Sequence, residues 1–333
     1  MSDDPLFAPL VAGDRRALAK AITLIESTRV DHRQRADALV AALLSRTGNS
    51  LRIGISGVPG VGKSTFIEAL GMFLIERNQR PAVLAVDPSS TLTGGSILGD
   101  KTRMERLASR PEAFIRPSPS SGSLGGVAEH TREAILLCEA AGHDVVIVET
   151  VGVGQSEIAV AAMTDLFVLM QLPNAGDELQ AIKKGIVELA DIVVYNKADL
   201  DDAAAHRAAA QMRTALSLLR HADAPWQPAV LTLSALEARG IDAFWGEVTR
   251  FCEATRAAGT WAARRRHQAL DWMWQTIDTS LRQNFRRDRS VRAALPAMSA
   301  AVEAGKVPPA TAARQLLALN TATTHSSGES SHA

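Results

Sequence analysis

Two short stretches carry residue types and spacings that can do nucleotide chemistry. The first is Gly57-Val58-Pro59-Gly60-Val61-Gly62-Lys63-Ser64-Thr65, which fits the pattern G-x-x-x-x-G-K-[ST]. In such a loop, backbone N–H groups of a tight turn and of the helix start converge on a phosphate. Glycines at Gly57 and Gly62 permit an approach that a Cβ would block. Lys63 supplies a cation for the β- and γ-phosphates, and the Ser64 hydroxyl can ligate Mg²⁺. The second stretch is Asn196-Lys197-Ala198-Asp199, an N-K-x-D pattern. A carboxylate at Asp199 can accept from guanine N1–H and the exocyclic amine. Adenine has neither donor there and would leave the carboxylate unpaired, which is the physical source of selectivity. Asn196 is expected to brace a neighbouring loop, and the Lys197 stem to lie over the base. Ser234-Ala235-Leu236, after the apolar run 229–233, is a third base-facing candidate. GTP or GDP with Mg²⁺ is therefore the expected ligand set.

Between these stretches lie candidates for the hydrolytic step. Asp87 ends the apolar run 82–86, and ligands of open α/β sheets bind at the carboxyl ends of strands. The Gly-rich polar run 88–100 that follows suits a loop ordering over a γ-phosphate, with Asp100 its second acidic candidate. Glu149 ends another apolar run, where many phosphate-loop proteins carry an Asp that holds Mg²⁺ through water. A Glu can do the same one methylene further out, or orient the attacking water. Gly152 can donate its N–H to the γ-phosphate, and Gln155 is a candidate for positioning water. Arg103 and Arg106 follow the first loop, and neither is a certain arginine finger.

The elements that must hold these residues are readable from periodicity. Strand-like apolar runs fall at 51–56, 82–87, 113–116, 144–149, 166–172, 191–196 and 229–234. Helical patterns fall between several of them, at 64–78, 127–141, 203–221 and 241–256. That alternation predicts an α/β phosphate-loop fold, a mostly parallel sheet flanked by helices. Residues 1–50 form a helical extension of two helices, with apolar stripes at Leu18, Ala21, Ile22 and Ile25 and at Ala36, Leu39, Val40, Leu43 and Leu44. The GTPase domain is expected over 51–258. A helical region with Trp261, Trp272, Trp274 and many arginines follows over 259–322, and a small, polar, disordered tail over 323–333.

The chain has 333 residues, is 46% hydrophobic and carries formal net charge zero, enough for a sizeable core and an argument against a broad nucleic-acid footprint. Cys138 and Cys252 make no metal-ligand pair by spacing and read as buried thiols. His130, His143, His206, His221 and His267 are scattered and read as surface or cap residues. There is no signal peptide and no apolar run long enough to span a bilayer, so neither a membrane nor a nucleic-acid partner is expected and the location read is cytoplasmic.

Four stretches together resemble the MeaB/ArgK family of methylmalonyl-CoA mutase-associated GTPases: 57–65, Val86-Asp87-Pro88-Ser89-Ser90, the run 149–157, and 196–199. Glu149 matches the family's own pattern. The resemblance implies a GTP-dependent chaperone for adenosylcobalamin-dependent methylmalonyl-CoA mutase that gates cofactor loading from an adenosyltransferase and protects or reactivates the mutase. It also implies slow intrinsic hydrolysis, a homodimer built on C-terminal helices, and a segment around 174–188, with Asp177, Glu178, Gln180, Lys183 and Lys184, that carries nucleotide state to the partner. The rival readings are a nickel-type metallochaperone GTPase, a phosphate-loop small-molecule kinase, and a scaffold that binds GTP without hydrolysing it.

Overall fold

The computed structural model describes residues 3–86, 104–117, 124–150, 156–173, 184–219 and 224–326. Seven strands form one sheet: β1 (Leu51–Gly57), β2 (Pro81–Val86), β3 (Phe114–Arg116), β4 (Val145–Thr150), β5 (Leu166–Gln171), β6 (Ile192–Tyr195) and β7 (Ala229–Thr232). Their order is β3-β2-β4-β1-β5-β6-β7, and every pairing is parallel, so the expected mostly parallel sheet is parallel throughout. All residues of β2, β4, β5 and β6 are buried. That is why these strands read as unbroken apolar runs instead of an alternation.

Helices cover both faces. On one lie α4 (Lys63–Ile75), α5 (Glu105–Ala108) and α10 (Ile241–Ala257), whose Phe66, Ile67, Leu107, Phe244 and Phe251 pack with Ile53, Ile55 and Val168. On the other lie α2 (Arg15–Ile25), α3 (Val30–Leu43), α6 (Leu124–Ala140) and α7 (Ser156–Ala161). There Leu18, Ile22 and Leu39 join Leu137, Val146 and Phe167, so the N-terminal extension packs on the sheet as expected. It holds three helices instead of two, since α1 (Phe7–Val11) buries Leu10. Leu44 follows α3 and is 63% exposed, so it leaves the stripe assigned to it. Two further helices, α8 (Lys184–Leu189) and α9 (Asp202–Leu219), lie beside β5, β6 and β7.

Gly54 lets α7 lie close on β1. A Cβ there would meet Thr164 Oγ1 at 2.7 Å and Val160 Cγ1 at 2.8 Å. Below the sheet, Arg265 of α11 (Thr260–Arg287) donates Nε and Nη2 to Asp165, both at 2.6 Å, and Nη2 to Ser50 O at 2.6 Å. Asp165 also accepts from Arg52 N, and Arg52 pairs bidentately with Glu139 at 2.7 and 3.0 Å. Each buried charge in this set has a charged partner.

The chain divides into two compact units, one ending at Gln268 and the other beginning at Ala269. The second contains α12 (Arg289–Glu303) and α13 (Pro309–Ser326), which bury Val291, Ala312 and Leu316. Among the described residues, no helix is long and apolar enough to cross a membrane.

Candidate functional site

The turn from β1 to α4 is built by glycines used in two ways. Gly62 has φ +93°, and a Cβ there would meet Asn196 Nδ2 at 2.6 Å. Any other residue would strain the backbone and also collide with the second motif. Gly57 lies against Met170, whose carbonyl oxygen would be 2.5 Å from an added Cβ. Val58 is half-buried, and Pro59 and Gly60 are exposed at the rim. Val61 points into the core. Lys63 is only 9% exposed, and its Nζ donates to Gly57 O at 2.7 Å and Val58 O at 3.4 Å. Its cation is thus held at the loop and not in bulk water. Ser64 and Thr65 occupy the first turn of α4, where helix N–H groups favour an anion.

Asn196 follows β6 and is 2% exposed. Its Nδ2 donates to Val61 O at 2.8 Å, and its Oδ1 accepts from Ala235 N at 2.9 Å. One amide therefore braces the phosphate loop and the 234–236 loop together. Lys197 adopts φ +63°, and Ala198 N donates to Leu233 O at 3.1 Å, which ties the clamp to the end of β7. Asp199 Oδ1 is buried and has no hydrogen-bond partner among the described residues. A buried acceptor in that state costs about 1–3 kcal/mol unless something donates to it, and a guanine edge supplies two donors. Ser234 is fully buried and pairs with Arg239 through both backbone groups, at 3.1 and 3.0 Å. Its Oγ accepts from Glu237 N at 3.2 Å, whereas Leu236 stands 79% exposed beside the loop.

Glu149 is 5% exposed near the end of β4, in register with Ile55 of β1 and Ala85 of β2. Thr150 Oγ1 donates to Ser56 Oγ at 3.0 Å across β4 and β1. The hydroxyl of Ser64 and the carboxylate of Glu149 are hard oxygen donors of the kind Mg²⁺ takes. Asp87, Asp100, Gly152, Gln155, Arg103 and His221 lie outside the described residues, as do 174–183 of the segment thought to carry nucleotide state. Arg106 is the second residue of α5, with its backbone N–H donating to Glu68 Oε1 at 2.8 Å.

Three features depart from the sequence reading or were missed by it. His143 is buried, 3% exposed, and not a surface or cap residue; burial, then the Arg80 charge, pushes its pKa down to about 4. Cys252 is only half-buried, whereas Cys138 is fully buried, and burial raises both thiols. Gln171 ends β5 with Oε1 and Nε2 both buried and without a partner among the described residues. Its one signal in sequence is an amide closing an otherwise apolar run.

A family model described as "Methylmalonyl Co-A mutase-associated GTPase MeaB" matches residues 18–290. The chain belongs to the MeaB family. It is a GTP hydrolase by that membership, in agreement with its two motifs. Among MeaB-like relatives, a probable GTPase of Mycobacterium tuberculosis is 55% identical over 315 residues, covering 94% of each chain. The mitochondrial methylmalonic aciduria type A homolog of Mus musculus is 47% identical over 325 residues, 94% of this chain and 78% of its own. The crystal structure of a protein named LAO/AO transport system kinase is 39% identical, with TM-score 0.75, and covers 95% of this chain and 97% of its own.

Proposed function

We propose that this MeaB-family GTPase is a GTP-dependent chaperone of adenosylcobalamin-dependent methylmalonyl-CoA mutase, gating cofactor loading from an adenosyltransferase and protecting or reactivating the mutase. One observation carries the nucleotide half of this reading. The Asn196 side chain joins Val61 O to Ala235 N, beside a buried Asp199 oxygen that has no partner among the described residues. A site reading phosphates and base as one unit needs such a brace. Family membership supports the mutase half.

In this reading Gly57, Val58, Pro59, Gly60, Val61, Gly62, Lys63, Ser64 and Thr65 bind phosphates, joined by Gly152. Asn196, Lys197, Asp199, Ser234, Ala235 and Leu236 form the base side. Ser64, Asp87 and Glu149 would hold Mg²⁺, which would supply charge neutralisation at the β- and γ-phosphates. Lys63 and the loop amides stabilise charge on the transferring group while water attacks in line, oriented by Glu149 or Gln155, with Asp100 a second acidic candidate for the catalytic set. The sequence offers no certain arginine finger of its own. A charge or loop geometry supplied by the partner is worth roughly 10³–10⁵ in rate, which accounts for slow turnover without it.

The assembly we propose is a cytoplasmic homodimer formed through 259–322, with the GTPase domain over 51–258; of the expected tail over 323–333, residues 323–326 continue α13. Support comes from an apolar stripe on α11: Leu270, Trp274 and Leu281 are 57%, 61% and 62% exposed, and Ile277 is 37% exposed. Their spacing of four, three and four residues is that of a helix–helix seam. A kinase reading, suggested by the name of one solved relative, gives the Asn196 brace and Asp199 no role. Lys63→Ala tests the nucleotide half, since it should abolish GTP turnover with the fold intact; wild-type turnover in that variant would remove the assignment.

A further inference from the structure

A cavity of about 170 Å³ opens at the end of the sheet opposite the phosphate loop. Two of its lining residues, Asp165 and Asp191, immediately precede β5 and β6. Consecutive arginines of α11 pair with these acids in different ways. Arg265 holds Asp165 through Nε and Nη2, both at 2.6 Å, and Asp165 Oδ2 also accepts from Arg52 N at 2.8 Å. Arg264, which lines the cavity, donates to Asp191 Oδ2 through Nη1 alone, at 3.1 Å. Its side chain is 33% exposed, so its guanidinium is reachable from solvent. The walls are aromatic. Trp226 stands edge-on to Phe251 at 5.3 Å between ring centroids, and Phe251 lies 6.5 Å from Trp261. An apolar cavity of about 150 Å³ is large enough for one benzene ring, so this one suits a body of that size.

The hydrogen-bonding capacity left inside selects the ligand. Thr255 Oγ1 donates to Phe251 O at 2.7 Å, Thr260 Oγ1 to Thr255 O at 3.2 Å, and Trp226 Nε1 to Asp191 O at 2.9 Å, so these protons are already engaged. A guanidinium carries several N–H donors and no acceptor, and Arg264 uses only Nη1 among the described residues. The strongest unspent group is therefore a charged donor, which calls for an acceptor of opposite charge. The charge balance points the same way. Arg264 and Arg265 offset Asp191 and Asp165, and a third guanidinium, Arg256, stands 4.8 Å over the Trp261 ring with no acidic partner among the described residues. We propose that this cavity binds a small free carboxylate, with an apolar body of ring size between Trp226, Phe251 and Trp261 and its oxygens on the unspent edge of the Arg264 guanidinium. A cation would have to displace Arg264 from Asp191. The site is independent of the nucleotide reading and does not rest on it.

The test titrates the full chain with three probes of one shape: benzoate, benzamide and benzamidine. Binding is followed by calorimetry and by ligand-observed NMR in wild type, Arg264→Lys and Thr255→Leu. Lys keeps a charge for Asp191 without the planar fork that can hold a second carboxylate. Leu fills part of the cavity from Thr255, which is 7% exposed. The expected result is one benzoate per chain, with benzamide weaker by about tenfold or more and benzamidine weaker still. Arg264→Lys should lose about tenfold in benzoate affinity and keep its benzamide affinity, whereas Thr255→Leu should lose both. If one variant fails to fold, the other and the probe series still decide. A wild-type protein that binds benzamide as tightly as benzoate, prefers benzamidine, or binds none of the three overturns the proposal. Benzoate binding that stays at wild-type strength in the folded variants overturns it as well.

Discussion

Asn196 and Val61 are separated by 135 residues in sequence, yet the Asn196 side chain donates to the Val61 carbonyl at 2.8 Å. The same side chain accepts from Ala235 N at 2.9 Å. Asn196→Ala leaves a buried carbonyl and a buried N–H without partners. The expected cost is about 2 kcal/mol of stability, with a loss of GDP and GTP affinity that exceeds any change in the fold. Calorimetric melting of free and GDP-bound protein checks both parts. An Asn196→Ala protein with wild-type affinity would contradict the brace.

Asp199→Asn replaces one of two acceptor oxygens with a donor. Xanthine carries a carbonyl where guanine carries its exocyclic amine, so the variant should lose GTP affinity by about 10²-fold or more and gain xanthosine triphosphate. Competition binding with the two nucleotides measures this. Unchanged preference for GTP would place the base away from the buried Asp199 Oδ1.

Little of the sheet was hidden in the sequence, and the reason is physical. Strands buried on both faces are apolar at nearly every position, so β2, β4, β5 and β6 stand out as runs, with Glu149, Thr150 and Gln171 the polar exceptions at the strand ends. The two motifs were legible because each is local. What was not legible depends on contacts distant in sequence. Nothing near Arg265 announces its bond to Asp165, 100 positions away. Nothing near Met104 says that α5 takes its cap from Glu68, 38 positions from Arg106. The same applies to His143. A lone histidine before an apolar run reads as a surface residue until Phe114, at 6.1 Å between ring centroids, is seen to cover it.

His143 also sets a pH dependence. Its folded pKa, about 4, lies below the ordinary 6.5, so the unfolded chain binds a proton that the folded chain refuses between those values. Its contribution is fully present above pH 6.5 and declines as pH falls toward 4, at up to about 1.4 kcal/mol per unit. Urea midpoints from pH 7 to 4.5 should fall, and His143→Phe should flatten part of that slope. An identical slope in the variant would assign the acid sensitivity elsewhere.

Arg265→Ala removes the cation that pairs with Asp165, whose side chain is 2% exposed. An uncompensated buried carboxylate costs about 3–5 kcal/mol, and α11 loses its bonds to Gly48 O and Ser50 O. Limited proteolysis should then cut near Gly259 while GDP binding at the far end of the sheet persists. Wild-type resistance to protease would show that Arg265 does not hold the helix.

The exposed stripe of α11 yields a prediction about assembly. Trp274→Glu combined with Leu281→Glu puts two charges into the proposed seam and should convert a dimer to a monomer in sedimentation. Intrinsic GTP turnover should be retained. A variant that still sediments as a dimer would move the interface off this face.

GTP turnover, measured with and without purified adenosylcobalamin-dependent methylmalonyl-CoA mutase and with ATP as the control nucleotide, tests the central claim most directly. The account predicts slow hydrolysis of GTP alone, none of ATP, and a sharp rise in the GTP rate when the mutase is added; a GTP rate that the mutase leaves unchanged would contradict it.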